Sequence, residues 1–475
     1  MDEGKYYLEC MGCGGKFKDI ENPCPLCGSQ LFVRYTEVKL DIRDTPSMWR
    51  YIDLLPIDTD SSIVSLGEGY TPLMRAERIS KILGTQELYL KDETRNPTGS
   101  FIDRGVSVEI SRIQRRYKRI VCATLGDTGA SLSAYAAKAG IKPIIYAPEK
   151  INIGKLYQML LCGAEVLITK NYEEALMLAK THKTNEKVFS EYSPYYLEGI
   201  KTIAYEVMEQ LNWKTPDFVV VPMGTGGLIT MIWKGVRELL ELGLIEDTPG
   251  LIGVQIEGAD PIVRAFRGEE TDFLRGKTIA IDLMVRRPML QRFAISAIRE
   301  SNGIAISVED DVIPRYIKML AEGEGIIAEP SAIVPLIALK KLLDLGDILP
   351  SESVIIIITG SGLKTIDSLQ EIVPIEDISL RLMGIPEKTT IRKIGETKLM
   401  ILNLLSEGMM HGYEIRKKLR EKYGISLALS TIYQHLHELM NYGLISRVGR
   451  KTKNKTKYCY FLTRSGRKLI EKHES

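Results

Sequence analysis

Two runs of this chain, Phe218-Val219-Val220-Val221-Pro222 and Val354-Ile355-Ile356-Ile357-Ile358, contain no polar side chain. A strand that is apolar on both faces must be covered on both faces, and a parallel sheet held between helical layers does this. Arg119–Thr124 and Pro143–Ala147 are also strand-like. Helical patterns follow them at Ala130–Ala139 and Gly154–Cys162. The alternation continues from about residue 60 to about 375, which predicts an α/β, doubly wound parallel-sheet body. Its length suggests two lobes with a cleft between them.

Around residues 374–396 the pattern breaks at Pro374, Pro386 and the polar stretch Glu387-Lys388-Thr389-Thr390, which reads as a linker. The net charge of +2 hides an asymmetry. Residues 391–475 hold about eighteen lysines and arginines against about seven acidic residues, roughly +11, so the rest sums to roughly −9. A basic tail on a mildly acidic body points to a polyanionic partner. No apolar run reaches the ~18 residues needed to cross a bilayer, which speaks against a membrane protein. The start, Met1-Asp2-Glu3-Gly4-Lys5, has no apolar segment of the signal-peptide kind. Seven cysteines, four of them clustered, then suggest a reduced, cytoplasmic protein.

The cluster is Cys10-x-x-Cys13 and Cys24-x-x-Cys27, each pair on a turn with glycine or proline. Four thiolates on two such turns suit a closed tetrahedral zinc site. A unit of about 33 residues is too small for a core of its own, so metal is expected to hold it. Free thiols or two disulfides are the other readings. A closed site has no open coordination position, so no chemistry is assigned to it. Cys122 and Cys162 fall in predicted core elements and read as buried apolar groups, as does Cys459 in the tail.

Several motifs stand in one order along the body. They are Gly67-Glu68-Gly69-Tyr70-Thr71-Pro72-Leu73, Lys91-Asp92-Glu93, Asn96-Pro97-Thr98-Gly99-Ser100-Phe101, Tyr195-Tyr196-Leu197-Glu198-Gly199 with Lys201-Thr202, Gly258–Val263, and Thr359-Gly360-Ser361-Gly362-Leu363-Lys364. With these motifs residues 1–375 resemble threonine synthase, a pyridoxal-phosphate (PLP) enzyme of the tryptophan-synthase-β type, PLP fold type II. Gly224-Thr225-Gly226-Gly227 follows one apolar strand and opens a helix. Such a loop brings backbone N–H groups and a helix N-terminus to a phosphate. The resemblance implies that it holds the PLP phosphate and that Thr359 bonds the pyridine nitrogen.

Two departures matter. The family's Ser-Phe-Lys-Asp-Arg-Gly supplies the Schiff-base lysine, but here Ser100-Phe101-Ile102-Asp103-Arg104-Gly105 places Ile102 at that position. Isoleucine has no amine with which to bind an aldehyde or move a proton. The family's Ser-Thr-Gly-Asn-Thr, whose asparagine bonds the cofactor's phenolic oxygen, is replaced by Thr124-Leu125-Gly126-Asp127-Thr128. An ionised Asp127 would repel a phenolate by about 4 kcal/mol at about 4 Å and an effective dielectric near 20. Asp127 is therefore expected to protonate, or the ligand to differ. Lys91, Lys155, Lys201 and Lys364 lie in or near motifs as substitute amines, although each has a counterpart in the family pattern.

From about residue 397 onward helical periods dominate. Lys398–Ser406 is a first helix, Gly408–Ile415 opens a second that Gly424 ends, and Ser430 is expected to cap a third running to Asn441. A strand from Gly443 and a return at Tyr458–Thr463 flank a predicted turn at 450–457. These residues resemble the DNA-binding domain of PadR-type transcriptional regulators. The resemblance implies that Ser430, Thr431, Tyr433, Gln434 and His437 meet bases in the major groove of double-stranded DNA. Arg450, Lys451, Lys453, Lys455 and Lys457 would follow phosphates. His411 reads as a residue that caps or packs at the start of the second helix.

The domains expected are a zinc-ribbon-like unit at 1–33, a body at 34–375, a linker at 376–396 and a winged helix at 397–475. The function expected is a ligand-sensing, DNA-binding transcriptional regulator, a homodimer with a catalytically disabled body. Its ligand would be small and anionic: PLP held without a covalent bond, an amino acid or a phosphorylated amino acid. The alternative is an active threonine synthase, or related PLP lyase, with an appended DNA-binding domain. A body serving only as a dimerisation scaffold is a third reading.

Overall fold

The two polar-free runs form the middle of a six-stranded sheet in the computed structural model. It describes residues 5–20, 23–57, 63–182, 186–270, 278–372, 395–452, 455–463, 465–467 and 469–470. The chain divides into two units, 1–372 and 373–475.

Unit one opens with β1 (Tyr6–Cys10), β2 (Lys16–Phe17) and β3 (Leu31–Tyr35), an antiparallel sheet in the order β2-β1-β3. Then come β4 (Leu73–Arg75), α1 (Glu77–Leu83), β5 (Glu87–Asp92) and α2 (Ile102–Ile113). The smaller lobe follows as β6 (Arg119–Ala123), α3 (Asp127–Ala139), β7 (Lys142–Pro148), α4 (Ile153–Leu161), β8 (Glu165–Thr169), α5 (Tyr172–Lys180) and β9 (Lys187–Val188). After α6 (Pro194–Gln210) the larger lobe resumes with β10 (Phe218–Pro222), α7 (Gly227–Glu241), β11 (Gly250–Ile256), α8 (Pro261–Arg267) and α9 (Gln291–Glu300). It ends with β12 (Ile304–Val308), α10 (Ile313–Glu324), α11 (Pro330–Leu345), β13 (Ser353–Ile358) and α12 (Ile366–Ile372).

The small sheet, β8-β7-β6-β9, is parallel throughout. The large one, β12-β11-β10-β13-β5-β4, is parallel except for its edge strand β4. Side-chain alternation along β10 and β13 explains their composition. Val219, Val221, Ile355 and Ile357 enter one hydrophobic cluster, and Val220, Val354, Ile356 and Ile358 enter another on the opposite face. A polar residue at any of these positions would be buried, whichever face it took.

Helices α2 and α6 cross closely because glycines stand at the contact. A Cβ on Gly199 would lie 2.1 Å from the Arg104 carbonyl oxygen, and one on Gly105 would lie 2.4 Å from the Tyr196 ring. This approach fixes the start of α2, where Ile102 sits. The cysteine unit does not stop at residue 33. Strand β3 continues to Tyr35, whose hydroxyl donates to the Leu54 carbonyl and to Glu198. Its Leu8, Leu31 and Val33 share a core with Trp49, Ile52, Leu55 and Tyr195.

Unit two contains α13 (Gly395–Ser406), β14 (Met410–His411), α14 (Gly412–Tyr423), α15 (Leu429–Asn441), β15 (Ile445–Thr452) and β16 (Lys455–Leu462), with sheet order β14-β16-β15. Most of the predicted linker, 376–394, lies outside the described residues, and its last two residues already belong to α13. Two expectations change. The strands run farther than the predicted turn at 450–457 allows, because the ladder continues through Arg450↔Lys457, Lys451↔Thr456 and Thr452↔Lys455. Cys162, which follows the last turn of α4, and Cys459 in β16 are half-exposed, not buried. No helix among the described residues is long and apolar enough to cross a membrane.

Candidate ligand cleft and nucleic-acid interface

The motifs of the body are joined by a fully buried charge network. The Arg104 guanidinium donates to both carboxylate oxygens of Glu93, at 2.6 and 2.7 Å, and of Glu206, at 2.6 and 2.8 Å. Lys91 donates to Glu206 at 2.7 Å, to the Thr71 carbonyl and to Gln210. Glu206 in turn accepts from the Tyr70 and Thr71 amides. Lys201 is buried in a separate pairing with Glu198 and Glu238. Two of the four substitute lysines thus have structural partners.

The other two converge on Asp127. Gly126, at φ +149°, opens α3 and places Asp127 as its first residue. Lys155 Nζ, fully buried, lies 3.1 Å from Asp127 Oδ1, 2.9 Å from Asp282 Oδ2 and 3.5 Å from Glu329 Oε2. Lys364 Nζ reaches the same Asp127 oxygen at 2.7 Å. The Thr124 hydroxyl accepts from the Gly126 and Gly129 amides, and the Thr128 hydroxyl donates to Glu191. Both side chains therefore shape the Thr124–Thr128 loop from within. The first-turn amides of Asp127 and Thr128 have no carbonyl in a preceding helical turn, as at any helix start.

Gly226, at φ +84°, turns the Gly224–Gly227 loop into α7. The Thr225 hydroxyl accepts from the Gly227 amide. Gly224 faces the Asp282 segment, where an added Cβ would stand 3.1 Å from the Asp282 carbonyl oxygen. The loop thus lies beside the Asp282 segment. Thr359, just beyond β13, is buried and its carbonyl accepts from the Phe101 amide at 3.0 Å, so it adjoins the start of α2. Ile102 is 6% exposed and belongs to the same apolar cluster as Cys122, Leu132 and Leu197.

Of the two alternatives for Asp127, its protonation or a different ligand, the electrostatics oppose the first. Burial alone would raise its carboxyl, but the Lys155 and Lys364 ammoniums outweigh burial and hold it below its ordinary range. Burial would likewise lower Lys155, and Asp127, Asp282 and Glu329 together push it up instead. Glu329 is pushed up to about 8, by burial first and by the Asp127 charge next. Burial also raises Glu191. Asp282 and Glu329 were not visible as site residues in the sequence, since neither stands at a recognisable spacing from Asp127.

The Glu329 shift sets a pH dependence. Unfolded, its carboxyl ionises near 4.5; folded, it keeps its proton to about 8. Between these limits the unfolded state binds fewer protons, so this group lowers stability as pH rises, by ~1.4 kcal/mol per unit at most. Glu329→Gln removes the slope. Urea unfolding at about pH 5 and about pH 8 should show the variant gaining a few kcal/mol on the wild type at the higher pH. Parallel behaviour of the two proteins would contradict the assignment.

At the other end of unit one the four cysteine sulfurs lie within 4.8 Å of one another. Cys10 and Cys27 Sγ are 3.3 Å apart, and Cys13 and Cys24 Sγ are 3.8 Å apart. Tetrahedral Zn–S bonds of about 2.3 Å require sulfurs about 3.8 Å apart, so the four thiols suit that geometry.

In unit two, Ile432, Leu436 and Leu439 of α15 are buried, while Ser430, Tyr433, Gln434 and His437 are exposed and Thr431 is half-buried. Ser430 is not the cap. The helix begins at Leu429, and Ala428 precedes it without a side-chain bond. His411 does cap α14, its Nδ1 accepting from the Glu414 amide at 3.2 Å, and Gly424 ends that helix at φ +67°. Glu438 pairs with Lys398. Arg450, Lys451, Lys455 and Lys457 occupy strand positions in β15 and β16, and Lys453 lies outside the described residues.

Comparison with known proteins agrees with this geometry. Residues 64–360 match the family described as pyridoxal-phosphate dependent enzyme, and residues 401–472 match the PadR-like family of transcriptional regulators. A threonine synthase of Methanocaldococcus jannaschii is 41% identical over 378 residues, covering 76% of this chain and 93% of the relative. One from Methanosarcina acetivorans is 39% identical over 375 residues, covering 76% and 92%. Among solved structures, a fungal L-serine ammonia-lyase from Rhizomucor miehei superposes with a TM-score of 0.56 at 25% identity, covering 64% of this chain and 96% of its own.

Proposed function

Since the chain belongs to the pyridoxal-phosphate-dependent enzymes through its threonine-synthase-like body and carries a PadR-like domain at its C-terminus, we propose that it is a transcriptional regulator whose body senses a ligand without turning it over. The observation that carries this reading is Ile102, an apolar side chain packed where the resemblance puts the cofactor lysine. The other parts fit the cofactor unevenly. Gly224–Gly227 at the start of α7 suits a phosphate. When bound through a lysine, PLP supplies an electron sink for bonds at a substrate's α-carbon, but Ile102 has no amine for it and, as the resemblance implies, Asp127 would set a carboxylate against its phenolic oxygen.

What the chain's own residues can do is bind and orient. The Gly224–Gly227 amides hold a phosphate, Thr359 would hydrogen-bond a pyridine nitrogen, and the Thr124–Thr128 loop receives the rest of a small anionic ligand. Candidates are PLP held without a covalent bond, an amino acid or a phosphorylated amino acid. The winged helix binds double-stranded DNA through α15 and the β15–β16 wing. A ligand coupling of ~1–3 kcal/mol would change operator affinity ~5–150-fold.

The chain acts in this reading as a cytoplasmic homodimer, which matches the two half-sites that winged helices of this kind read. An apolar band around edge strand β8, with Leu161 85% and Met177 61% exposed, supports self-association, and light scattering measures it. The four cysteines hold one structural zinc per chain, which elemental analysis counts.

The test of the whole is operator affinity of the purified chain with and without PLP, threonine, and phosphohomoserine. A change outside error with one of them is expected; identical affinity with all would defeat sensing. Formation of threonine from phosphohomoserine by the wild-type chain would favour the rival, an active threonine synthase with a DNA-binding domain.

A further inference from the structure

The two lobes of unit one are joined in two ways. One junction is apolar: Ile102 and Val106 of α2 share a cluster with Leu132, Tyr135 and Ala136 of α3. The other is made of charges. Asp127 of α3 and Lys155 of α4, both in the smaller lobe, face Asp282, Glu329 and Lys364 of the larger one. Lys155 Nζ lies 2.9 Å from Asp282 Oδ2, and Lys364 Nζ lies 2.7 Å from Asp127 Oδ1. Glu329 keeps its proton to about 8, so at neutral pH two carboxylates meet two ammoniums and the set balances. Helix α4 is held to the larger lobe at three further points. The Ile153 amide donates to Asp367 at 2.9 Å, the Gln158 side chain donates to the Thr98 carbonyl at 3.4 Å, and a Cβ on Gly154 would stand 2.6 Å from the Lys364 carbonyl oxygen. The Lys155 stem also lies over the Thr124–Thr128 loop, since a Cβ on Gly126 would meet its Cδ at 2.3 Å. The loop assigned to the ligand is thus covered by a buried side chain that pairs across the cleft.

We infer that this ion-pair set is a latch between the lobes, which covers the Thr124–Thr128 loop in the ligand-free chain and which a ligand must open in order to bind there. The inference rests on the reading of that loop as a ligand site, and it deepens that reading by naming how the site is regulated. Asp127 is the carboxylate that pairs Lys364 with the smaller lobe; an asparagine there would offer it no charge. The departure at position 127 therefore closes the set. Opening separates buried charges from their partners, which is costly, so the open form is the minor one. Apparent ligand affinity is then reduced by the fraction of chains that are open. The latch also gives binding an outlet. Lys364 and Asp367 flank the start of α12, the last described element of unit one, beyond which the chain runs on to residues 373–475. Releasing α4 from Lys364 and Asp367 releases the start of α12 with it.

Hydrogen exchange of the full chain, read by mass spectrometry, tests the latch without a ligand. Asp282→Asn and Lys155→Met are each expected to speed exchange in α4 and α12 together, by about tenfold or more, while β6 and β7 stay protected. Should one variant not fold, the other still carries this test. Calorimetry with pyridoxal 5′-phosphate and O-phosphoserine as probes then tests the exclusion. Both variants are expected to bind at least one probe about tenfold more tightly than the wild type, because opening no longer competes with binding. The two substitutions separate a latch from plain electrostatics. Losing the Asp282 charge favours an anion in either case, but losing the Lys155 ammonium weakens an anion unless the latch dominates. Tighter binding by Asp282→Asn with weaker binding by Lys155→Met would therefore overturn the inference, and so would unchanged exchange in both variants. Faster exchange in both, with neither probe bound by the variants or the wild type, would support the latch and overturn the reading of the loop as a ligand site.

Discussion

Replacing Arg104 by methionine is expected to lower the stability of the body by about 3–5 kcal/mol, the range for breaking a buried ion network on one side. The side chain is 0% exposed and makes four charge-assisted bonds to Glu93 and Glu206. Without it Lys91 alone faces two carboxylates that water cannot reach. The pH dependence identifies the cause. Burial would raise the Glu206 carboxyl, but Arg104 and Lys91 hold it at about 2. A lowered carboxyl contributes stability that is complete above its unfolded value near 4.5 and is lost as pH falls towards 2. The variant's deficit should therefore be largest at neutral pH and shrink in acid. Urea unfolding followed across that range measures it, and a deficit constant with pH would point to lost packing instead. Arg104→Lys should recover only part, since an ammonium cannot grip two carboxylates bidentately.

This network also shows why much of the body was legible. Tyr70, Thr71, Lys91, Glu93 and Arg104 stand in the motifs Gly67–Leu73, Lys91–Glu93 and Ile102–Gly105, whereas Glu206 and Gln210 stand in none, and the structure joins them around one guanidinium. Polar residues inside apolar elements are costly unless paired, so they stand out in a sequence. The strands were legible for the complementary reason: β10 and β13 are covered on both faces and have no polar position at all. The cleft was legible only in part. Ile102 and Asp127 were visible as departures from a pattern, but the ionisation of Asp127 depends on Lys155 and Lys364, which approach it from α4 and from the segment after β13. Neither Asp282 nor Glu329 announces itself, because their meeting with Lys155 is made by the fold and not by spacing. Helix starts were the weakest point. Ser430 has the chemistry of a cap, yet α15 begins one residue before it. The wing was misjudged because lysine and threonine in alternation look like a polar turn, whereas the antiparallel ladder satisfies their backbone wherever their side chains point.

That ladder carries the second large effect. Arg450 stands opposite Lys457 in register, and Lys455 precedes Lys457 by two positions on the same strand. Like charges directly opposite one another in a sheet are destabilising, so this register is expected to cost the free domain stability. Replacing Arg450, Lys455 and Lys457 together by glutamine is expected to leave the winged helix as stable as before or slightly more so, while DNA binding falls. Each lost phosphate contact lowers the slope of log affinity against log salt by about 0.9. Three contacts at one bound wing correspond to about 2.7, so between about 50 and 200 mM salt the wild type should lose about 40-fold more affinity than the variant. Gln434→Ala should behave differently. A side chain that reads a base edge contributes about 1–3 kcal/mol to discrimination, so this variant should lose preference for operator over random DNA with its salt slope unchanged. Filter binding or anisotropy over a salt series separates the two. If neutralising the wing leaves the slope where it was, β15 and β16 do not meet the phosphate backbone, and the basic tail serves another partner.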